Sequence, residues 1–238
     1  MTEKWLAAVF ILSGLASPAW AQGPEQLEQL EPGKGEWQVE YFGLFGGGGD
    51  EREHSLQVMA GVTDRLALGA ELESSWAAGS LMMEGIAPTA LYKFSDPDAP
   101  VGVGLEIQFG LDRYAFLTGA EARLIVEKRA RAWWGQADLI LRSARDDGAS
   151  ATSIAYGWAL DRAVTDRLWL GLEGSGQTVR LGGRAALAPA GEHFLGPALT
   201  YQLGLSAKGD AEIGIAYLRR VAGAGPTGTA RFFVQLGF

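Results

Sequence analysis

An all-β fold, an antiparallel transmembrane β-barrel of about twelve strands, is the class this sequence predicts, on three observations. Apolar residues recur with period two in successive segments of about ten residues, from residue 36 to residue 238. The opposite face of those segments is glycine, alanine and serine with isolated charges, unlike the lysine- and threonine-rich surface of a soluble sheet. The chain also opens with an export signal. Membrane-crossing strands take about nine to eleven residues, whereas soluble strands average about five or six.

Residues 1–21 read as a signal peptide. Lys4 lies in a short polar stretch, residues 5–15 are apolar, and Ala19 and Ala21 put small side chains where a signal peptidase needs them, before Gln22. That apolar run is too short to cross a bilayer as a helix, which takes about twenty residues, and no later run approaches that length. Residues 22–35 form a polar lead-in, expected as a periplasmic segment, with an inward fold that plugs the barrel as the lesser alternative. The barrel proper is expected over residues 36–238.

The alternation then runs unbroken. Trp37, Val39 and Tyr41 bracket Gln38 and Glu40; Leu56, Val58 and Ala60 bracket Gln57 and Met59; Leu66, Leu68, Ala70 and Leu72 bracket Ala67, Gly69 and Glu71. Val101, Val103, Leu105, Ile107 and Phe109 alternate with Gly102, Gly104, Glu106 and Gln108. Period two means strands with one greasy and one polar or small face. The expected strands cover 36–45, 53–63, 66–77, 84–94, 101–112, 119–129, 131–144, 151–161, 167–180, 193–203, 210–221 and 227–238. Short turn-like connections at 62–65, 95–98, 129–131 and 164–167 alternate with looser pieces at 46–50, 144–150 and 182–191, the asymmetry of bacterial outer-membrane barrels. With an even strand number both termini fall on the short-turn, periplasmic side.

Lipid offers no hydrogen bonds, so a spanning sheet must close on itself, greasy side out. The final segment displays this: Ala230, Phe232, Val234, Leu236 and Phe238 share one face, Thr229, Arg231, Phe233, Gln235 and Gly237 the other. A chain ending on Phe238 after such alternation resembles the C-terminal signal read by the barrel-assembly machinery. Trp37, Trp76, Tyr92, Phe94, Trp133 and Trp158 fall near expected strand ends, where aromatic girdles meet the lipid interface.

An internal echo runs through the chain. Thr63-Asp64-Arg65-Leu66-Ala67-Leu68-Gly69-Ala70-Glu71 returns as Thr165-Asp166-Arg167-Leu168-Trp169-Leu170-Gly171-Leu172-Glu173, six strands later. Either a duplicated six-strand half or convergent hairpin chemistry would produce it. On these turns, the Gly196-Pro197-Ala198-Leu199-Thr200-Tyr201 strand and the Phe238 terminus, the chain resembles the outer-membrane proteins of the meta-pathway phenol-degradation transporter family. The resemblance implies a barrel with a transport role and brings no catalytic residues.

Inward parity assigns Glu40, Glu71, Glu73, Glu106, Asp112, Glu121, Glu127, Asp138, Glu173 and Glu212 to the lumen, with Lys93, Arg123, Arg129, Arg142, Arg220 and Arg231. Acids outnumber bases, so a water-filled passage would favour cations or dipolar solutes. The alternative is that these charges pair and fill the bore: eight-stranded barrels are packed, sixteen-stranded porins are open, and twelve lies between. The small residues of that face favour a narrow passage for a small solute, with no cofactor implied.

Other chemistry is poorly supported. The net charge of −8 disfavours nucleic acid, which selects a basic face, and the absence of cysteine removes thiolate sites. A barrel-embedded lipid hydrolase would need a serine with a histidine base. His54 beside Ser55, and His193, are the candidates, both expected as loop-edge residues, with adjacent strand residues facing opposite ways. The glycines at 46–49 lack the Gly-Lys-Ser/Thr of a phosphate loop. Asp50, Glu51 and Glu53 form an acidic cluster expected to be a solvated loop.

Overall fold

The computed structural model describes residues 24–46, 52–77, 79–96, 98–188, 191–206, 209–223 and 227–238. Residues 1–23, which include the expected signal peptide, most of the glycine run, Asp50 and Glu51 lie outside the described residues.

Alternation of this kind has one closed solution, and the chain adopts it. Twelve strands follow in order: β1 (Trp37–Gly46), β2 (Arg52–Gly61), β3 (Leu66–Ala77), β4 (Ser80–Lys93), β5 (Gly102–Asp112), β6 (Leu117–Ala130), β7 (Trp133–Asp146), β8 (Ala149–Ala163), β9 (Leu168–Gly183), β10 (Glu192–Ser206), β11 (Gly209–Ala222) and β12 (Gly228–Gly237). Each pairs antiparallel with its neighbours in sequence, and β1 pairs with β12 to close the barrel. The seam is finished by the Trp37 N–H donating to the Phe238 carbonyl at 3.1 Å and the Phe238 N–H donating to the Trp37 carbonyl at 2.9 Å. No backbone edge is left for lipid to face.

The two echoed turns are the same object built twice. The Thr63 hydroxyl accepts the N–H groups of Arg65 (3.2 Å) and Leu66 (2.9 Å), and the Thr165 hydroxyl accepts those of Arg167 (3.2 Å) and Leu168 (3.0 Å). They join β2 to β3 and β8 to β9, half a circuit apart. Other connections differ from expectation. The loop expected over 144–150 is a tight turn, because Asp147 and Gly148 take φ values of 45° and 76°, the pair of positive angles that an Asp-Gly hairpin supplies. The turn expected at 95–98 is part of a connection spanning 94–101, as long as the 184–191 connection at the opposite end. Loop length therefore separates the two ends less sharply than the sequence suggests.

The outward row is apolar. Leu56, Leu68, Leu72, Ile107, Leu139, Leu141, Leu160, Leu172 and Ile215 are exposed, while Gln57, Gln108, Glu121, Arg123, Asp138 and Arg142 are buried inside. An apolar belt of this extent is far larger than the patches soluble monomers tolerate, and hydrocarbon is the solvent that suits it.

The lead-in does not stay outside the bore. Residues 24–33 run along the inner wall, and the glycines of that wall explain how. A Cβ at Gly61 would lie 1.8 Å from the Gly33 carbonyl oxygen; one at Gly104 would lie 2.5 Å from Leu30 Cδ2; one at Gly157 would lie 2.7 Å from Leu27 Cδ2. Leu30 packs onto Met59, Ala67, Leu91 and Ile125, an apolar cluster on the inner face of β2, β3, β4 and β6. Small inward residues thus make room for a length of the chain's own backbone, where the sequence alone suggests room for a solute.

Candidate lumenal site

Inward parity on adjacent strands brings acids and arginines to one level of the bore, and the lead-in supplies two more acids. Arg142 on β7 donates to Glu25 through Nη2 (2.8 Å) and Nη1 (3.3 Å), and to Glu121 on β6 through Nε (2.8 Å). Arg123 on β6 donates through Nη2 to Glu121 at 2.7 Å and through Nη1 to the Gln26 carbonyl at 2.7 Å. Its Nη1 also lies 3.6 Å from Asp138 and 3.8 Å from Glu28. Backbone groups of the lead-in are held too: the Glu25 N–H donates to the Ser175 hydroxyl (3.2 Å), the Glu28 N–H to Asp138 (3.2 Å), and the Glu28 carbonyl accepts from Gln136 (2.5 Å). Lys93 Nζ donates to the Pro32 carbonyl at 2.7 Å. A buried ion pair that loses one partner leaves a costly lone charge, so this network resists piecemeal loosening. Burial pushes the Glu28 carboxyl up to about 7, against the pull of Arg123.

The lead-in occupies one side of the lumen. On the other side a groove remains between it and the wall formed by β1 and β7 to β12. Its mid-barrel part is lined by Gln26, Leu27, Gln29, Glu40, Phe42, Trp134, Asp161, Glu173, Thr200, Glu212, Arg231, Phe233 and Gln235. A second part shares Gln29, Trp134, Asp161, Thr200 and Glu212, and adds Arg129, Trp169 and Gln202 toward the end of the barrel where the chain enters. Toward the opposite end, Phe194, Ala198, Ala216 and Leu218 pack into an apolar cluster on the inner face of β10 and β11.

The expected lumenal residues divide between these two places. Glu121, Arg123, Asp138 and Arg142 lie under the lead-in. Glu106 is buried opposite Arg123 in register. Glu71 is half-buried and accepts from Gln108 at 2.6 Å; Glu73 is half-buried on the same face of β3. Arg231 pairs with Glu173 beside the groove, Glu212 accepts from Gln202 at 3.1 Å, and Arg129 stands at the mouth, 4.0 Å from Glu31. Arg220 is half-buried, opposite Phe194 in register near the far end of the barrel. Asp112 departs from expectation: after a register shift at Gly110/Leu111 it accepts the N–H groups of Tyr114 (2.8 Å) and Phe116 (2.9 Å), capping a turn at the rim.

Several residues of the site escape the sequence reading, five of them charged or indole-bearing groups central to it. Glu25 and Glu28 sit in the lead-in, whose path no local pattern reveals. Asp161, Trp134 and Trp169 carry inward parity in their strands, and the paired Trp133-Trp134 is itself a signal, since neighbours on a strand face opposite sides.

Both histidines lie at the loop-proximal starts of their strands, as expected, His54 third in β2 and His193 second in β10, with their side chains on the outward face. His54 Nδ1 is 2.7 Å from the Tyr41 hydroxyl, and His193 Nδ1 is 3.0 Å from the Tyr156 hydroxyl. Ser55 points into the bore, where its hydroxyl donates to Gln26 Oε1 at 3.4 Å. His54 and Ser55 are on opposite sides of the wall, so they do not form a nucleophile–base pair. Among the described residues, no group of His, Asp and Glu is placed to hold a metal ion.

No protein-family model and no curated protein sequence matches the chain. Solved structures do. An outer-membrane channel from Pseudomonas putida F1 is 14% identical, with 90% of this chain and 98% of that one covered and a TM-score of 0.55. The NanC porin is 10% identical over 85% of this chain and 98% of that one, TM-score 0.54. The KdgM porin, in complex with disordered oligogalacturonate, is 11% identical over 84% of this chain and 98% of that one, TM-score 0.51. At these identities the likeness is one of fold: the chain has the architecture of an outer-membrane barrel, closed over twelve antiparallel strands.

Proposed function

We propose that this protein is an outer-membrane channel in which residues 24–35 act as a built-in plug, leaving a narrow, acid-lined route for a small cationic or dipolar solute. The observation that carries this reading is how the bore is filled. A barrel closed for structural reasons alone would fill its lumen with wall side chains. Here the wall carries glycines where a separate segment lies against it, ion pairs hold that segment in the lumen, and a groove persists beside it. Glu40, Asp161, Glu173 and Glu212 against Arg231 and Arg129 leave that groove net acidic, which attracts cations and repels anions. The fold shared with known porins supports a transport role, and so does the resemblance of the repeated turns to the phenol-degradation transporter family.

Conductance in planar bilayers tests this. The mature chain should show small openings with cation preference, and a variant lacking residues 24–35 should show larger ones. A deletion variant that folds to a heat-resistant barrel yet passes no current would replace the channel by a sealed barrel that displays its loops.

A further inference from the structure

We propose that the groove beside the plug holds a binding site for a small organic cation, recognised by the carboxylate of Asp161 and the indoles of Trp134 and Trp169. This deepens the channel reading by naming a solute class for the same groove.

Three observations converge on that spot. Asp161 is only 4% exposed, its Oδ1 has no hydrogen-bond partner, and among the described residues no lysine or arginine nitrogen lies within 4 Å of it. Its position is made deliberately: Gly171, on the neighbouring strand between Trp169 and Glu173, has no side chain, and a Cβ there would sit 2.0 Å from Asp161 Oδ1. The carboxylate therefore lies across β9, between an indole and a second acid. Trp134 is opposite Asp161 in register, and its Nε1, like that of Trp169, is buried without a partner. Glu212 and Glu40, two further carboxylates of the groove, also have no basic group within 4 Å among the described residues, whereas Arg231 is taken by Glu173.

A buried carboxylate without a countercharge is costly, and a cation seated beside it relieves that cost. Indole faces add attraction for ammonium groups, above all quaternary ones whose charge is spread over methyls. The indole N–H donors call for an acceptor atom on the same molecule. A compact ammonium carrying a hydroxyl meets all three demands. A neutral polyol would satisfy the N–H donors and leave the carboxylates uncompensated; an anion is repelled.

The test measures binding apart from transport. Choline and its uncharged isostere 3,3-dimethylbutan-1-ol are titrated calorimetrically into the full mature barrel in detergent, with glucose as the neutral polyol. Choline should bind saturably and the isostere at least tenfold more weakly. Asp161→Asn, which keeps the side chain's shape, should weaken choline at least tenfold, and Trp169→Leu should weaken it with the barrel still heat-resistant. Equal binding of choline and isostere, an unchanged Asp161→Asn affinity, or glucose binding in place of choline would each overturn the site. Conductance on the same samples separates the two ideas: current without choline binding removes the site and keeps the channel, and binding without current does the reverse.

Discussion

Replacing Glu25 by glutamine preserves the shape of the plug while removing the charge that Arg142 grips. Two hydrogen bonds, at 2.8 and 3.3 Å, lose their charge assistance, and Arg142 keeps Glu121 at 2.8 Å, so the wall itself is undisturbed. Hydrogen bonds to a charged group contribute about 1.5–3 kcal/mol. At a tenfold change per roughly 1.4 kcal/mol, the population with the plug undocked should rise roughly tenfold to 150-fold. The chain has no cysteine, so a reporter can be placed at will. Ser175 is 2% exposed, and its hydroxyl receives the Glu25 N–H, which puts it directly beneath the plug. In a Ser175→Cys background, the rate of labelling by a membrane-impermeant thiol reagent reads the undocked fraction. Glu25→Gln should raise that rate by the factor above. Arg65→Gln, which removes an exposed pair with Asp96 at the rim, should leave it unchanged, because pairs in water contribute little. Labelling rates within about threefold of each other, with both barrels heat-resistant on gels, would refute the claim that this ion pair latches the plug.

Three further outcomes follow from the same contacts. Gly61→Val places a side chain where the Gly33 carbonyl passes 1.8 Å from the added Cβ, so conductance should approach that of the plug-deleted variant while the barrel stays folded. Glu28, which faces Arg123, Glu71, Asp138 and Gln57, titrates at about 7 when docked and near the ordinary 4.5 when released. The docked form therefore holds its proton more tightly, docking is strongest below about 4.5, and it weakens as pH rises through about 7. Conductance of the full chain should climb between pH 5 and 8, and Glu28→Gln should flatten that rise. Finally, the paired change Thr63→Val and Thr165→Val removes the hydroxyl that holds each repeated turn, and about 1 kcal/mol per turn should be lost from the urea unfolding of the barrel, with conductance unchanged.

The strands were legible because β-structure in a bilayer is a local code. Parity along one strand assigns each residue to lipid or lumen with no knowledge of its neighbours, which is why Arg142, Glu121, Glu173 and Arg231 are found on the inner face that alternation assigns. The turn at Thr63 and its echo at Thr165 were equally readable, since their bonds span only three residues. Asp147-Gly148 carried a hairpin signal too, hidden because the strands on either side of it run longer than their alternation suggests.

What no local pattern contains is how the bore is occupied. Small inward residues at Gly61, Gly104 and Gly157 are compatible with an open passage or with a segment lying against them, and a polar lead-in is compatible with either side of the membrane. The choice is made by partners far apart in the chain, Glu25 with Arg142 and Glu28 with Asp138, whose meeting depends on closing the whole circle. Alternation thus specifies a wall one strand at a time, whereas the contents of the lumen, and the pocket of Trp134, Asp161 and Trp169 left beside the plug, exist only after β1 has met β12.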